Sequence, residues 1–146
     1  MNSVRLHFAG QPQLANAWTI VRLSVHVLAA SVWVGGQLVL AGLVVTLRGI
    51  SYDAPGKVAR AFARLSWPAF GLLLATGVWN FLAIDHAEAT TSWNIVFGVK
   101  MLCVIVAGLG ALLHTWVTSP RAKGVYAGVG MTGTIAALVL GVALTG

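Results

Sequence analysis

The chain has 146 residues, of which 58% are hydrophobic and 8% are charged, and its mean hydropathy is +0.88. Soluble globular domains carry about 25% charged residues, so this composition excludes an ordinary soluble protein. The net charge of +6 does not indicate a nucleic-acid-binding protein, because the basic residues lie mainly between the apolar segments; we expect no nucleic-acid partner.

Four segments of at least 20 residues contain no Asp, Glu, Lys or Arg. A helix needs about 20 predominantly apolar residues to cross a bilayer. We therefore predict an all-α integral membrane protein whose single domain, residues 1–146, is a four-helix transmembrane bundle in the lipid bilayer. Its helices are expected at about 18–47, 61–84, 92–117 and 123–145.

The first predicted helix carries His26 inside its apolar stretch, and Trp33 follows seven residues later on the same face. His26 is a candidate ligand, and the alternative is a neutral imidazole that hydrogen-bonds a helix carbonyl or a serine. Trp33 is a candidate cofactor contact or a packing residue. The apolar stretch of about 25 residues exceeds the core of a secretory signal peptide, which has about 7–15 residues, so we expect the helix to be retained.

The second predicted helix carries Pro68 in its first turns, where a kink or a later start of the helix is tolerated. Its Gly71 and Ala75 are small residues four apart, as are Ser31 and Gly35 in the first helix. Small residues at this spacing let the backbones of neighbouring membrane helices approach closely. Both pairs therefore predict helix contacts.

The third predicted helix contains Lys100 within an otherwise apolar stretch. A charge at such a position costs on the order of 3 kcal/mol, so it usually faces a partner or a cavity and marks a functional site. The alternative is a side chain whose stem stays in lipid while its ammonium reaches the outer headgroups.

Three further residues of this helix are candidate metal ligands: Met101, Cys103 and His114. Cys103 is three residues beyond Lys100 and shares its face, and His114, 14 residues beyond, lies near the same stripe. Each has a structural alternative, namely packing for Met101, a small buried hydrophobic residue for Cys103 and a boundary residue near the interface for His114.

The fourth predicted helix is rich in glycine and alanine, and its Gly124 and Gly128 repeat the spacing of four. Together with the small residues of the other helices, they predict a compact antiparallel bundle. We expect the same helix to contribute to a homodimer or to a larger membrane complex.

The distribution of basic residues predicts the orientation of the bundle. Residues 65–99 contain no Lys or Arg. Six basic residues flank the first and third connections: Arg48, Lys57, Arg60, Arg64, Arg121 and Lys123. Because basic residues are retained on the cytoplasmic side, these two connections are predicted to be cytoplasmic, and both termini and the connection at 85–92 are predicted to lie outside.

This orientation gives His26 and Lys100 a common depth. His26 follows Trp18 by eight residues, which places it about 12 Å below the outer interface at a rise of about 1.5 Å per residue. Lys100 follows Trp93 by seven residues, or about 10 Å by the same rise. The two residues therefore share a level, and each is the natural candidate partner of the other.

The sequence contains no Cys-x-x-Cys motif, no His-x-x-x-His motif and no Met-rich segment. A metal site would have to be assembled across helices from His26, Met101, Cys103 and His114. Imidazole with soft sulfur ligands suits copper(I) best, and Lys100 would enter such a site only as a neutral amine. Heme b with His26 as its axial ligand is the other possibility, because helix bundles commonly house such cofactors.

Acidic residues are too few and too peripheral for carboxylate chemistry inside the membrane. The three present, Asp53, Asp85 and Glu88, all lie near predicted surfaces. We therefore assign no catalytic residue, and a non-enzymatic function is favoured. His7 and His86 lie in predicted external segments and are candidates for metal capture.

Three motifs, at residues 63–66, 76–80 and 97–100, resemble the membrane domain of the copper resistance D family in order and spacing: Ala-Arg-Leu-Ser, Thr-Gly-Val-Trp-Asn and Phe-Gly-Val-Lys. The segment from His26 to Gly36 resembles the helix that precedes that domain, so the similarity spans residues 26–115. It implies a multi-pass protein of the bacterial inner membrane that functions in copper uptake or tolerance. It also implies that His26 and Lys100 occupy the family's recurring polar positions.

The His26 and Lys100 pair is also similar to the four-helix heme-binding protoporphyrinogen oxidase family, in which a His early in helix one precedes Trp and Gly and a Lys lies in helix three. That resemblance implies that His26 and Lys100 serve heme binding and substrate oxidation. A third hypothesis, suggested by the glycine-rich fourth helix, is a structural subunit of a membrane complex.

Overall fold

Long helices make up most of the described chain. The computed structural model describes residues 14–84 and 89–144, and no strand occurs in these ranges. The helices are α1 (Ala17–Ile50), α2 (Ala54–Leu82), α3 (Thr91–Trp116) and α4 (Pro120–Ala143). Each is long and apolar enough to cross a membrane. The all-helical prediction is confirmed, and the four helices indicate a multi-pass membrane protein.

Local sequence explains where these helices begin. The Asn16 side chain accepts a hydrogen bond from the Thr19 N–H (2.9 Å) at the start of α1, and the Thr90 hydroxyl accepts one from the Trp93 N–H (3.2 Å) at the start of α3. α2 and α4 instead begin with Pro55 or Pro120 in the first turn, where the missing proline N–H leaves no bond unmade.

α2 begins at Ala54, seven residues before the predicted start at residue 61, and Pro68 lies in its interior rather than in its first turns. The prediction started the helix only after Lys57 and Arg60, but Lys and Arg are good helix formers, so the helix includes them. Lys57 pairs with Asp53 at 2.6 Å across one turn, both side chains being exposed. Hydrogen bonds from the Lys57 and Ser51 side chains hold the pKa of Asp53 below its usual value.

The connections at 51–53 and 117–119 lie at one end of the bundle, which we call the inner end after the predicted orientation; the opposite end is the outer end. Residues near both connections, Leu47, Pro55, Thr115 and Lys123, line one cavity. Large apolar side chains cover the outside of the helices, as a lipid environment requires.

Glycines bring the backbones of α3 and α4 into close contact. A Cβ atom added to Gly110 would lie 2.7 Å from the Gly130 Cα, and one added to Gly133 would lie 2.9 Å from the Cys103 carbonyl oxygen. Gly124 and Gly128, which the spacing pattern singled out, have open space around them instead. α3 and α4 therefore pack through glycines one to two turns farther from the inner end.

In α1 and α2 as well, the glycine at the close contact differs from the glycines that the spacing pattern singled out. Gly35 and Gly71 meet no neighbouring atom within 4 Å, whereas a Cβ atom on Gly36 would lie 2.1 Å from the Phe62 ring of α2. The residues Ser31–Gly35 form a π-helical turn inside α1. A π-helical turn contains one residue more than an α-helical turn, so it rotates the side chains that follow it around the axis of α1. π-helical turns occur frequently at functional sites.

Trp33 lies in that π-helical turn and joins the two halves of the bundle. Its side chain is 4% exposed, and its Nε1–H donates to the Thr134 hydroxyl oxygen of α4 at 3.3 Å. On α2, its ring centroid lies 4.3 Å from that of Phe70 and 5.8 Å from that of Trp67. The pair α1/α2 thus meets the pair α3/α4 at this tryptophan.

Candidate functional site

The site begins with a hydrogen bond between α1 and α2. His26 Nδ1 lies 2.8 Å from the hydroxyl oxygen of Thr76, which is 4% exposed. That hydroxyl donates its only proton to the Leu72 carbonyl at 2.7 Å, with the Leu73 carbonyl at 3.3 Å. When that proton is on the Leu72 side, the Thr76 oxygen accepts from the Nδ1–H of His26, and in this tautomer the neutral imidazole carries its lone pair on Nε2.

This arrangement is the one expected of a ligating histidine. Histidines that bind a metal generally donate their other ring N–H to a protein oxygen, which fixes the tautomer and the ring orientation. The sequence predicted a helix carbonyl or a serine as partner in the purely structural alternative; His26 contacts the buried Thr76 hydroxyl and also the Leu73 backbone of the same helix. Gly77 lies beside the ring, since a Cβ added there would sit 3.6 Å from His26 Cε1. The Thr76-Gly77 motif thus positions the imidazole through a hydrogen bond at Nδ1 and a close approach at Cε1.

Lys100 lies on α3. It is half-buried and is an electrostatic neighbour of His26. Its Nζ lies 3.6 Å from the position of a Cβ added to Gly141 on α4. Because Gly110 faces Gly130 in this antiparallel pair, Lys100 and Gly141 are nearly level. The ammonium therefore crosses to α4 at its own depth instead of extending toward the headgroups.

Two further polar residues lie one turn nearer the outer end. Arg22 precedes His26 by four residues and Asn80 follows Thr76 by four, so in the antiparallel α1/α2 pair both extend the same contact. Arg22 Nε and Asn80 Oδ1 are buried and have no hydrogen-bond partner among the described residues. Neither residue was predicted as part of a site, although their spacing of four from His26 and Thr76 was a usable signal.

We call the set Arg22, His26, Thr76, Asn80 and Lys100 the outer polar cluster. It contains two basic side chains that carry charge at neutral pH in water, and no acid. The single acidic residue in the described ranges, Asp53, lies at the inner end. The cluster is therefore rich in hydrogen-bond donors and positive charge, and its candidate ligand atoms are His26 Nε2 and Asn80 Oδ1.

The sulfur candidates lie on α3 beside the cluster. Met101 follows Lys100 directly, Cys103 lies one turn toward the inner end, and both side chains are half-buried. The Cys103 backbone packs on Gly133 of α4. No group of three or more His, Cys, Asp or Glu side chains gathers around one point in the described part of the chain. A metal bound to His26 would need thioether, amine or backbone donors to complete its coordination.

His114 belongs to another part of the molecule. It lies 14 residues from Lys100 along α3, or about 21 Å at a rise of about 1.5 Å per residue. Its Nδ1–H donates to the Lys123 carbonyl at 3.0 Å. His26 and His114 are therefore not ligands of one ion. His7 and His86 lie outside the described residues.

A cavity of about 490 Å³ occupies the inner half of the bundle. Its lining includes Trp33, Gln37, Arg60, His114 and Lys123, contributed by all four helices. His26 and Lys100 are not part of that lining. Trp33, a predicted cofactor contact, therefore lies between the outer polar cluster and a separate inner cavity.

Comparison with known proteins adds no relative: no family model, no curated protein and no solved structure matches the chain.

Proposed function

We propose that the protein handles copper(I) in the bacterial inner membrane, with His26 Nε2 as the ligand at the outer polar cluster. The observation that carries this proposal is the hydrogen bond between His26 Nδ1 and Thr76, which makes Nε2 the ring nitrogen available for a ligand. The resemblance of residues 26–115 to the copper resistance D family supports it. The function is uptake of copper or tolerance to it, with no catalytic residue.

The charge of the site favours copper(I) over other metal ions. Magnesium and calcium take oxygen ligands, chiefly carboxylates, and the cluster contains no acid. Copper(I) carries a single charge and binds neutral imidazole and sulfur donors. Met101 and Cys103 place such donors on α3 next to Lys100. His26 is thus the primary ligand, Lys100 shapes the site and one of the sulfur residues assists.

A second candidate function is heme-dependent redox chemistry. The buried Arg22 Nε has no described partner, and with Lys100 it would pair with the two carboxylates that heme carries. His26 Nε2 would then be the axial ligand. This candidate corresponds to the resemblance to the protoporphyrinogen oxidase family, and heme would supply the electron transfer that no side chain of the cluster provides.

Elemental analysis and a UV–visible spectrum of one detergent-purified sample separate the candidates. Wild type is compared with His26→Ala and with His114→Ala, a matched control that removes a histidine from the inner end. We expect stoichiometric copper after growth with copper, lost in His26→Ala and retained in His114→Ala. Copper that is unaffected by His26→Ala contradicts the proposal.

A heme Soret band in wild type that is lost in His26→Ala would favour the second candidate, heme-dependent redox chemistry, over copper handling. If neither copper nor heme is present after both have been supplied, the third hypothesis, a structural subunit, is favoured. Its contact surface would then be the open face of α4 at Gly124 and Gly128, in a homodimer or a larger complex.

A further inference from the structure

We infer that the inner cavity binds an anionic phospholipid of the inner leaflet, with its phosphate between Arg60 and Lys123 and one acyl chain directed toward Trp33. This site lies outside the outer polar cluster and does not depend on what that cluster binds. It rests on the length of the cavity, its charge and one unpartnered donor in its wall.

The length of the cavity matches one leaflet. On α1 its lining runs from Trp33 to Leu47, which is 14 residues or about 21 Å at a rise of about 1.5 Å per residue. A bilayer with its headgroup regions is about 40–45 Å thick, so one leaflet is about 20–22 Å. Its volume of about 490 Å³ falls in the usual range of ligand pockets, about 300–1,000 Å³.

Trp33 closes the end of the cavity nearest the bilayer centre. Its Nε1–H is held by Thr134 and its ring by Phe70, so the closure joins three helices. The wall between this closure and the inner end is apolar and includes Leu40, Val44 and Trp67. Such a wall accommodates a hydrocarbon chain.

The inner part of the cavity is positive. Arg60 and Lys123 line it, and no lining residue is acidic. In the described ranges neither cation lies within ion-pair distance of an acid, and the acidic neighbour of Arg60, Asp53, is itself paired with Lys57. The Arg60 guanidinium lies over Gly56, with Nη1 3.5 Å from the position of a Cβ added there, and Gly56 also lines the cavity. Basic pockets between helices on the cytoplasmic side bind the headgroups of anionic lipids.

Gln37 supplies the third observation. Its side-chain Nε2 is buried, lines the cavity and has no hydrogen-bond partner among the described residues. A buried donor without an acceptor costs free energy, and a phospholipid brings ester carbonyl oxygens just below its phosphate. Gln37 lies one turn from Trp33 toward the inner end, on the path from the phosphate site to the closed end.

The test uses the full chain in nanodiscs of phosphatidylcholine alone or mixed with phosphatidylglycerol, followed by mass spectrometry of the lipid that stays bound after detergent extraction. We expect phosphatidylglycerol to be enriched about tenfold or more over its share of the disc. The thermal unfolding midpoint is expected to be higher in the mixed discs.

Three double variants locate the effect. Arg60→Gln with Lys123→Gln should abolish both the enrichment and the rise in midpoint. Arg64→Gln with Arg121→Gln removes the same charge from exposed positions of the same two helices that do not line the cavity, and should leave both unchanged. Arg60→Lys with Lys123→Arg, which keeps both positive charges, should retain the enrichment of wild type.

Three results would overturn the inference: equal retention of both lipids, enrichment that survives Arg60→Gln with Lys123→Gln, or equal loss in the Arg64→Gln with Arg121→Gln control. Ala63→Phe, which adds a ring to the cavity wall, should also expel the lipid. Retention of the lipid in a folded Ala63→Phe protein would show that no acyl chain occupies the cavity.

Discussion

Thr76 joins α2 to His26 of α1 through a side-chain hydrogen bond. Its hydroxyl oxygen lies 2.8 Å from His26 Nδ1, and its own proton is in reach of the Leu72 carbonyl, an arrangement that favours the imidazole hydrogen on Nδ1. That tautomer carries its lone pair on Nε2. Every function proposed for the outer polar cluster uses that lone pair.

Replacing Thr76 with Val should weaken copper binding by about 10–100-fold, because losing the outer partner of a ligating histidine typically has this effect. Val keeps the shape of the side chain and removes the acceptor. Thr76→Ser retains the hydroxyl and should bind nearly as well as wild type. Titration with copper(I) in competition with a chelator measures the affinity, and equal affinities for the Val and Ser variants would contradict the role of this bond.

Lys100→Gln should strengthen copper(I) binding, because it removes a positive charge beside the bound cation; a change on the order of tenfold corresponds to about 1.4 kcal/mol. The same substitution should weaken heme binding, since it removes a partner of a heme carboxylate. Lys57→Gln, an exposed position at the inner end, is the control and should change neither affinity. Weaker copper binding in Lys100→Gln would contradict an ammonium at this site.

Gly110→Ala and Gly133→Ala should each lower the free energy of unfolding by about 1–3 kcal/mol, the usual cost of extra carbon in a well-packed contact. An added methyl group at either position meets backbone atoms within 3 Å, which cannot move aside locally. Gly128→Ala, on the open face of the same helix pair, should be neutral or slightly stabilising. Thermal unfolding in detergent compares the three, and equal effects would contradict the α3–α4 contact.

A double-mutant cycle with Trp33→Phe and Thr134→Val should give a coupling free energy of about 0.6 kcal/mol, the average for hydrogen bonds between membrane helices. Trp33→Phe retains an aromatic ring for Phe70, so the cycle isolates the Nε1–H bond. Unfolding by denaturant in mixed micelles supplies the four free energies. Strictly additive effects would show that this bond does not join α1 to α4.

The orientation of the bundle is open to a direct measurement. A C-terminal fusion to alkaline phosphatase should be active, because this enzyme is active only outside the cytoplasm. A C-terminal fusion to green fluorescent protein should be dark, because this reporter fluoresces only inside the cytoplasm. Fusions after residue 52 should show the reverse pattern. A fluorescent C-terminal fusion would invert the predicted topology and move the outer polar cluster to the cytoplasmic half.

The sequence by itself determined the class of the protein and the depth of its polar residues. Long apolar stretches can satisfy their backbone hydrogen bonds in lipid only as helices, so the four segments and their approximate bounds follow from composition. A fixed rise per residue then predicts that His26 and Lys100 lie at one level. These inferences needed only local length and periodicity.

Tertiary structure decided which residues meet. It selected Thr76 as the partner of His26, brought Arg22 and Asn80 into the same cluster, separated His114 from it, and chose Gly110 and Gly130 over Gly124 and Gly128 for the close contact between helices. Helix rotation and the π-helical turn at Ser31–Gly35 set these choices, because a change of one residue per turn redirects a whole face. A helix that is apolar on all sides does not show in its sequence which face points into the bundle. Only the packing of one helix against another decides that rotation.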